Sequence, residues 1–500
     1  MARRGGETVV IFPFMAQGHQ NPFLALARLI EQRKVYTIIF VSTPLNIQKL
    51  KSSIPSDTSI TFAELQFCST DYGLPPDTEN TDTLTLELIA RLLEASESLQ
   101  APFKQLLLDI TKQDGRAPLC IIADMFFGWT VDVANELGIF HSVFIAGSGY
   151  GMSFYFSLTF NMSQFRNDAE EFILTDFPEA PPVHRSQVSN DFLGTDGTEP
   201  WCLFRLRQFY LCLQSDCILL NTIEGLEKSR IAYFRSKTGG RPVWSIGPAC
   251  TSVLEKNEDY KSEGTRKLMN VSSNNYLEWL NRHPPGSVLY VCFGSQGSIL
   301  PSQMMELAMG LEASNKAFIW VVRPPFGFSV TDKIRREWLP EGFEDRIRDK
   351  GQGLLVYRWA QQLEILSHAS TGAFMSHCGW NSVLESLSYG VPIIGWPLFG
   401  DQFFNSQMLE KEAGVCVEIA RGINSNIIGY KRIAEAISTV MGKTEKGEEI
   451  RRKACEVQEM MQEAITDCNG FKGSSVKALD EFFNSAISTR NSKSSAMKRM

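Results

Sequence analysis

A chain of 500 residues is too long for one ordinary domain, and a length prior points to roughly two to four. It is 43% hydrophobic and 21% charged, which suits a protein that buries a sizeable core. Its 49 basic against 56 acidic residues leave a net charge of −7, which gives it no electrostatic reason to seek nucleic acid or an anionic membrane surface.

After Met1–Gly6 comes an apolar run, Val9–Met15, broken by Pro13 and ended by Gln17, Gly18 and His19. It is too short for a secretory leader, and no stretch reaches the roughly 20 apolar residues of a membrane helix. Eleven cysteines, scattered singly with no Cys-x-x-Cys pair, imply neither a disulfide framework nor a zinc site. A cytoplasmic protein is the expectation.

In the first half, β-rich runs at Val9–Phe14, Thr37–Val41, Leu119–Ala123, Ser142–Ile145, Cys217–Asn221 and Pro242–Gly247 alternate with helical patterns at Pro22–Gln32 and Thr85–Leu108. Asn161–Pro200 reads as loops and short helices. Residues 251–275 turn to Lys, Glu, Ser, Asn and Asp and read as a linker. The alternation restarts with Val288–Phe293, Ala317–Val322, Leu354–Val356, Gly372–Met375, Pro392–Gly395 and Val415–Glu418. Two helical patterns close the chain, Glu445–Thr466 and Ser474–Ser485. The expectation is two doubly wound α/β domains, 1–250 and 276–470, with a final helix in 471–488 and a disordered tail at 489–500.

No phosphate loop, complete Gly-x-Gly-x-x-Gly, His-Glu-x-x-His or Asp-x-Asp pair is present, so kinase and dehydrogenase readings lose their anchors. What remains lies at strand ends. His19 follows the first strand, ahead of a helix that Pro22 is placed to start. Asp124 ends another strand. In a doubly wound sheet these positions meet at the crevice, where a carboxylate orients an imidazole into a general base; equally, the two would serve as a helix cap and a loop turn. Ser295, in Gly294–Ser298, offers a small-residue turn to a phosphate. The strand Gly372–Met375 delivers His377, Trp380, Asn381 and Ser382 to a helix N-terminus, where free amides attract a diphosphate, and Glu385 sits one turn on. Trp359, Ala360 and Gln362 follow the strand before, and Asp401 and Gln402 the strand after. Each has an ordinary alternative in the core, on a solvated face or in a polar loop.

Taken together, residues 359–402 resemble the signature box of plant small-molecule UDP-dependent glycosyltransferases, and the resemblance extends to the segment around His19, to Asp124 and to Ser295. It implies a GT-B-type α/β fold of two facing Rossmann-like domains, with the last helix crossing back onto the first. It also implies roles. Trp359, with Ala360 beside it, stacks on uracil, and Gln362 touches the nucleoside. Glu385 binds ribose, and Ser295, His377, Asn381 and Ser382 hold the diphosphate. Trp380, Asp401 and Gln402 contact the sugar, and His19 and Asp124 form the base. Gln402 with Trp380 favours UDP-glucose; a His at the last position would hint at galactose. The reaction implied is inverting, needs no metal or cofactor beyond the UDP-sugar co-substrate, and gives a β-glucoside of a small apolar hydroxylated acceptor such as a flavonoid, another phenolic, a terpenoid or a hormone. A monomer is expected.

The chain departs from the family at Gln361, where relatives carry proline, which predicts a slightly looser loop. Either Ala146 or Ser148 fills a place where relatives contact the sugar. The aromatic run Phe154, Tyr155, Phe156 and Phe160 is a candidate wall for the acceptor and equally a piece of core. A binding protein of the same fold and a sugar-nucleotide epimerase are the competing functions.

Overall fold

The computed structural model describes residues 6–51, 54, 58–166, 168–250, 273–329, 332–422, 427–468 and 470–497. Two parallel sheets dominate it. The first runs, in spatial order, 61–64, 36–42, 7–12, 120–124, 140–145, 217–220 and 243–245; the second runs 353–357, 317–322, 288–292, 371–376, 393–395 and 416–418. Both therefore reverse winding direction beside their first strand. The reversal falls between Glu7–Phe12 and Cys120–Asp124 in one sheet, with Phe12 opposite Ala123, and between Val288–Cys292 and Thr371–Ser376 in the other, with Cys292 opposite Ser376. At such a switch point the flanking helices lie on opposite faces, which opens a crevice at the carboxyl ends of the strands.

The strands are buried on both faces, so they read as continuous apolar runs. In the first strand Val10 and Phe12 enter one core cluster and Val9 and Ile11 another. The larger cluster crosses the domain boundary, joining Phe154 and Phe156 to Trp380, Leu384 and Phe404. All eleven cysteines are free.

Several boundaries differ from expectation. The edge strand Thr61–Glu64 has no clear apolar signal, being exposed at both ends. The pattern at 85–108 is two helices, Leu86–Ala95 and Gln100–Asp114, separated by a tight turn at Ser96–Leu99. There the buried Ser96 hydroxyl donates to the Leu93 carbonyl at 2.6 Å, a local bond that competes with helix continuation. Most of the expected linker, 251–272, lies outside the described residues, and its last residues already belong to the helix Ser273–Asn281.

The last helix does cross back onto the first sheet, but it runs Ser474–Met497, through much of the expected tail. Leu479, Phe482, Phe483 and Ala486 join the first domain's core, each large side chain contributing roughly 1.5–3 kcal/mol. Phe483 stacks on Tyr36 at 4.1 Å, and Arg490 pairs with Glu7, which carries the helix past the residue where apolar spacing stops. No helix among the described residues is long and apolar enough to cross a membrane.

Candidate active site

Between the domains lies a crevice of about 1300 Å³. Every residue that the resemblance assigns to the UDP-sugar lines it: Ser295, Trp359, Ala360, Gln362, His377, Trp380, Asn381, Ser382, Glu385, Asp401 and Gln402. His19 lines it too, and Asp124 lies behind His19.

His19 belongs to the first turn of the helix Gln17–Glu31, so Pro22 sits inside that helix instead of starting it. The His19 Nδ1 lies 2.8 Å from Asp124 Oδ2, while Oδ1 accepts from the Phe126 N–H at 3.0 Å. Both carboxylate oxygens are thus engaged, and Nδ1 carries the proton of the neutral ring. The Nε2 lone pair is left for a substrate. The His19 side chain is 21% exposed and Asp124 only 1%. Phe14 and Phe126 hold the ring from the sides. Burial alone would lower the His19 pKa; the Asp124 charge and hydrogen bond outweigh it, with help from Asp401, and raise the pKa above the ordinary value.

On the donor side, the strand Thr371–Ser376 feeds the helix Trp380–Ser388 through His377, Cys378 and Gly379. The His377 ring is clasped between two glycines: a Cβ on Gly294 or Gly379 would lie 2.6 or 2.4 Å from it. Burial, reinforced by Arg323, pushes the His377 pKa down to about 4, so the ring is neutral, and its Nδ1 is buried with no partner. Gln362 ties two positions of that helix together, donating to Ser382 Oγ at 3.1 Å and Glu385 Oε2 at 2.6 Å. Trp359 is 51% exposed at the crevice, not in the core.

Trp380 is buried and its indole N–H donates to the Asn221 carbonyl of the first domain at 2.6 Å, so any contact from it to a ligand would be through its backbone. Gln402 accepts from the Leu398 and Phe399 N–H groups at 3.0 and 3.3 Å, which pins the loop and leaves its NH2 for a ligand. Asp401 is half-buried, and desolvation raises its pKa against the opposing bond from Asn405 Nδ2 at 3.0 Å. Asn405 was not legible as a site residue. Its amide also donates to the Cys378 carbonyl at 3.0 Å and accepts from Ser148 Oγ at 2.5 Å, joining the two domains beside Asp401.

That bond settles the geometry of Ser148: it is buried and caps the next helix by accepting from the Gly151 N–H at 2.7 Å, while Ala146 and Gly147 line the crevice. Of the aromatic run, Tyr155 lines the crevice. Phe154 stacks on Phe404 at 4.5 Å and Phe156 on Phe209 at 4.1 Å, so both are core. Gln361 has φ −72°, the value proline would impose, and its backbone bonds the Tyr276 hydroxyl. A proline here would keep that φ and lose that bond.

Residues 7–250 match the family model for the N-terminal domain of glycosyltransferases, and residues 267–452 match UDP-glucoronosyl and UDP-glucosyl transferase. UDP-glycosyltransferase 92A1 of Arabidopsis thaliana is 43% identical over 96% of this chain and 97% of its own. The chain belongs to the plant UDP-glycosyltransferase family. Crocetin glucosyltransferase 3 of Crocus sativus is 42% identical over 84% of this chain and 88% of its own. Among solved structures, that of Glycyrrhiza uralensis UGT73P12 superposes with a TM-score of 0.82 at 27% identity, covering 99% of this chain and 98% of that one. The Medicago truncatula UGT71G1 complex with UDP-glucose gives 0.78 at 25%, covering 96% and 98%. The fold is GT-B, and the UDP-glycosyltransferase transfers a glycosyl group from a UDP-sugar to small molecules.

Proposed function

We propose that this UDP-glycosyltransferase moves glucose from UDP-glucose to a hydroxyl of a small apolar acceptor, with inversion, and that His19 is its general base. The observation that carries this reading is the His19–Asp124 pair at 2.8 Å, which leaves Nε2 to a substrate on a histidine that lines the same crevice as Trp359, His377 and Glu385. Trp359 stacks on uracil, with Ala360 and Gln362 beside the nucleoside. Glu385 takes the ribose hydroxyls, already aligned by Gln362. Ser295, the neutral His377, Asn381 and Ser382 hold the diphosphate at the head of the helix Trp380–Ser388. The Trp380 backbone, Asp401 and the Gln402 amide meet the sugar.

His19 Nε2 takes the acceptor hydroxyl proton as the oxygen bonds to the anomeric carbon. The bond from that carbon to the β-phosphate oxygen breaks, its electron pair leaves with UDP, and an α-linked donor yields a β-glucoside. The Asp124 carboxylate stabilises the imidazolium so formed. Crocetin glucosyltransferase 3 and the scopoletin glucosyltransferase of Nicotiana tabacum, 35% identical over 91% of this chain, carry glucosyl transfer in their names, which supports glucose as the sugar. The apolar wall of Phe14, Met125, Phe126, Met152 and Tyr155 supports an apolar acceptor. The enzyme acts as a monomer and without a metal, so a chelator leaves the rate unchanged.

The test is a panel of phenolic and terpenoid alcohols with UDP-glucose and UDP-galactose, read as UDP release coupled to a mass gain of one hexose. Transfer from UDP-glucose that His19→Ala abolishes, with UDP affinity kept, supports the reading. Most activity surviving in His19→Ala would sink the base assignment, and UDP binding with no transfer to any acceptor would favour a binding protein.

A further inference from the structure

The groups proposed to hold the diphosphate share one property: none is a cation. Ser295, Asn381 and Ser382 are neutral by chemistry, and His377 is neutral because burial keeps it so. Yet the departing UDP gains a full negative charge as its bond to the sugar breaks, and an unmet charge between two protein domains is costly.

Among the described residues no lysine lines the crevice, and three arginines do. Arg421 is committed to Glu418, at 2.5 Å. Arg185 belongs to the tight turn Arg185–Gln187 of the first domain, not to the strand ends that carry Ser295 and His377. The third, Arg323, follows the strand Ala317–Val322 at its carboxyl end, next to the strand that carries the Ser295 turn. Its Nη1 donates to the Ser295 carbonyl, its Nε is buried with no partner, and no carboxylate pairs with it among the described residues. The guanidinium is close enough to His377 and Cys292 for its charge to be felt at both. The surrounding chain fixes it there: Ser298 Oγ donates to the Pro324 carbonyl, and the Phe326 N–H to the Ile299 carbonyl, each clamping the segment after Arg323 onto the Ser295 turn.

We propose that Arg323 is the charge-bearing donor residue of this enzyme, its guanidinium holding the diphosphate of the UDP-sugar and taking up the negative charge that develops on departing UDP. With Nη1 turned to Ser295, the remaining N–H groups are donors to phosphate oxygens, and the fork geometry suits two of them at once. Arg323 keeps its proton throughout; the acceptor proton goes to His19. The same charge gives a reason for the neutral His377: two cations side by side would repel, so the histidine offers a hydrogen bond and the arginine the charge. This rests on the diphosphate lying at the head of the helix Trp380–Ser388.

The experiment compares UDP with uridine, which lacks the phosphates, by calorimetry on the whole enzyme. Arg323→Gln keeps a donor for the Ser295 carbonyl and loses the charge; Arg323→Lys keeps the charge. The Gln variant is expected to lose about tenfold or more in UDP affinity, with uridine unchanged, and the Lys variant markedly less. Equal losses in the two variants, or no loss in either, would reduce Arg323 to a brace for the turn and overturn the proposal. A wild-type enzyme that bound UDP no better than uridine would take down the diphosphate placement and Arg323 with it. Should the Gln variant not fold, the wild type decides: UDP, and not uridine, is expected to protect Arg323 from phenylglyoxal in a peptide map, and equal modification with and without UDP would overturn the assignment.

Discussion

Asn381 Nδ2 donates to the Gly18 carbonyl at 2.9 Å, across the crevice and one residue before His19. That carbonyl is available because of Pro22: the residue four positions on in the helix has no N–H to return to it. The head of the helix Trp380–Ser388 therefore completes the hydrogen bonding of the turn that carries His19. The Asn381 amide has a second N–H, so it can reach a phosphate while keeping Gly18.

Asn381→Asp keeps the size and removes both donors, setting a negative charge against the carbonyl and the diphosphate. We expect kcat/KM for UDP-glucose to fall by about 30-fold or more, from a higher KM and a lower kcat together. A fall in KM affinity alone, with kcat intact, would mean that the bridge to Gly18 does not matter to the base. Steady-state kinetics at saturating acceptor separates the two.

The pH dependence follows from the sign of the His19 shift. A base works when neutral, so kcat/KM rises with pH through the His19 pKa, and because Asp124 raises that pKa the limb lies above the ordinary 6.5. Asp124→Asn removes the charge that outweighs burial. The limb then moves to lower pH, and the plateau drops by about 100-fold or more as the imidazolium loses its counter-charge. A pH profile of the two enzymes from 5 to 9 checks both; a limb that stays in place would show that another group titrates there.

The residues legible in the sequence are those that strand order alone delivers. His19, Asp124, Ser295 and His377 follow strands that meet at the two switch points, and a reader who knows that rule finds them without coordinates. Arg323 follows a strand one removed from the switch point, and a charged residue after an apolar strand, ahead of two prolines, reads as an ordinary loop. Asn405 and the Asn381–Gly18 bond were not legible, since both depend on how the two domains close on each other. The helix beyond Ser488 is hidden in the sequence for a different reason: Arg490 and its neighbours carry no apolar period, and their docking on Glu7 exists only once the helix has crossed the sheet.

Gln361 offers a test of the family's proline. Its φ of −72° is compatible with proline, which would stiffen the unfolded chain by about 0.4–1 kcal/mol; against that, Gln361→Pro gives up the backbone bond to the Tyr276 hydroxyl, worth about as much. The two cancel to within about 1 kcal/mol, so the melting temperature should move by no more than a few degrees and UDP-glucose KM should not change. A loss of several kcal/mol would mean that the Tyr276 bond organises the whole Trp359 loop.

Two histidines held in the neutral form, His141 fully buried and His377 partly so, make stability depend on acid. Burial lowers His141 to about 3 and His377 to about 4, both below the 6.5 of an unfolded chain. The unfolded state therefore takes up protons first. The stability these rings contribute is complete above pH 6.5 and is lost as pH falls from there toward the folded values. At about 1.4 kcal/mol per pH unit, His141 alone removes on the order of 3 kcal/mol between pH 6.5 and pH 4. Its ring is buried far from the crevice, with Nε2 against Thr130 Oγ1 and Nδ1 against Ser215 Oγ, each at 2.8 Å. His141→Gln is therefore expected to be less stable at pH 7.5, where those bonds are weakened, and to show a shallower loss of unfolding free energy from pH 6.5 to 4 in urea titrations. If the variant and the parent lose stability in parallel over that window, His141 does not titrate on unfolding and the acid sensitivity belongs to other groups.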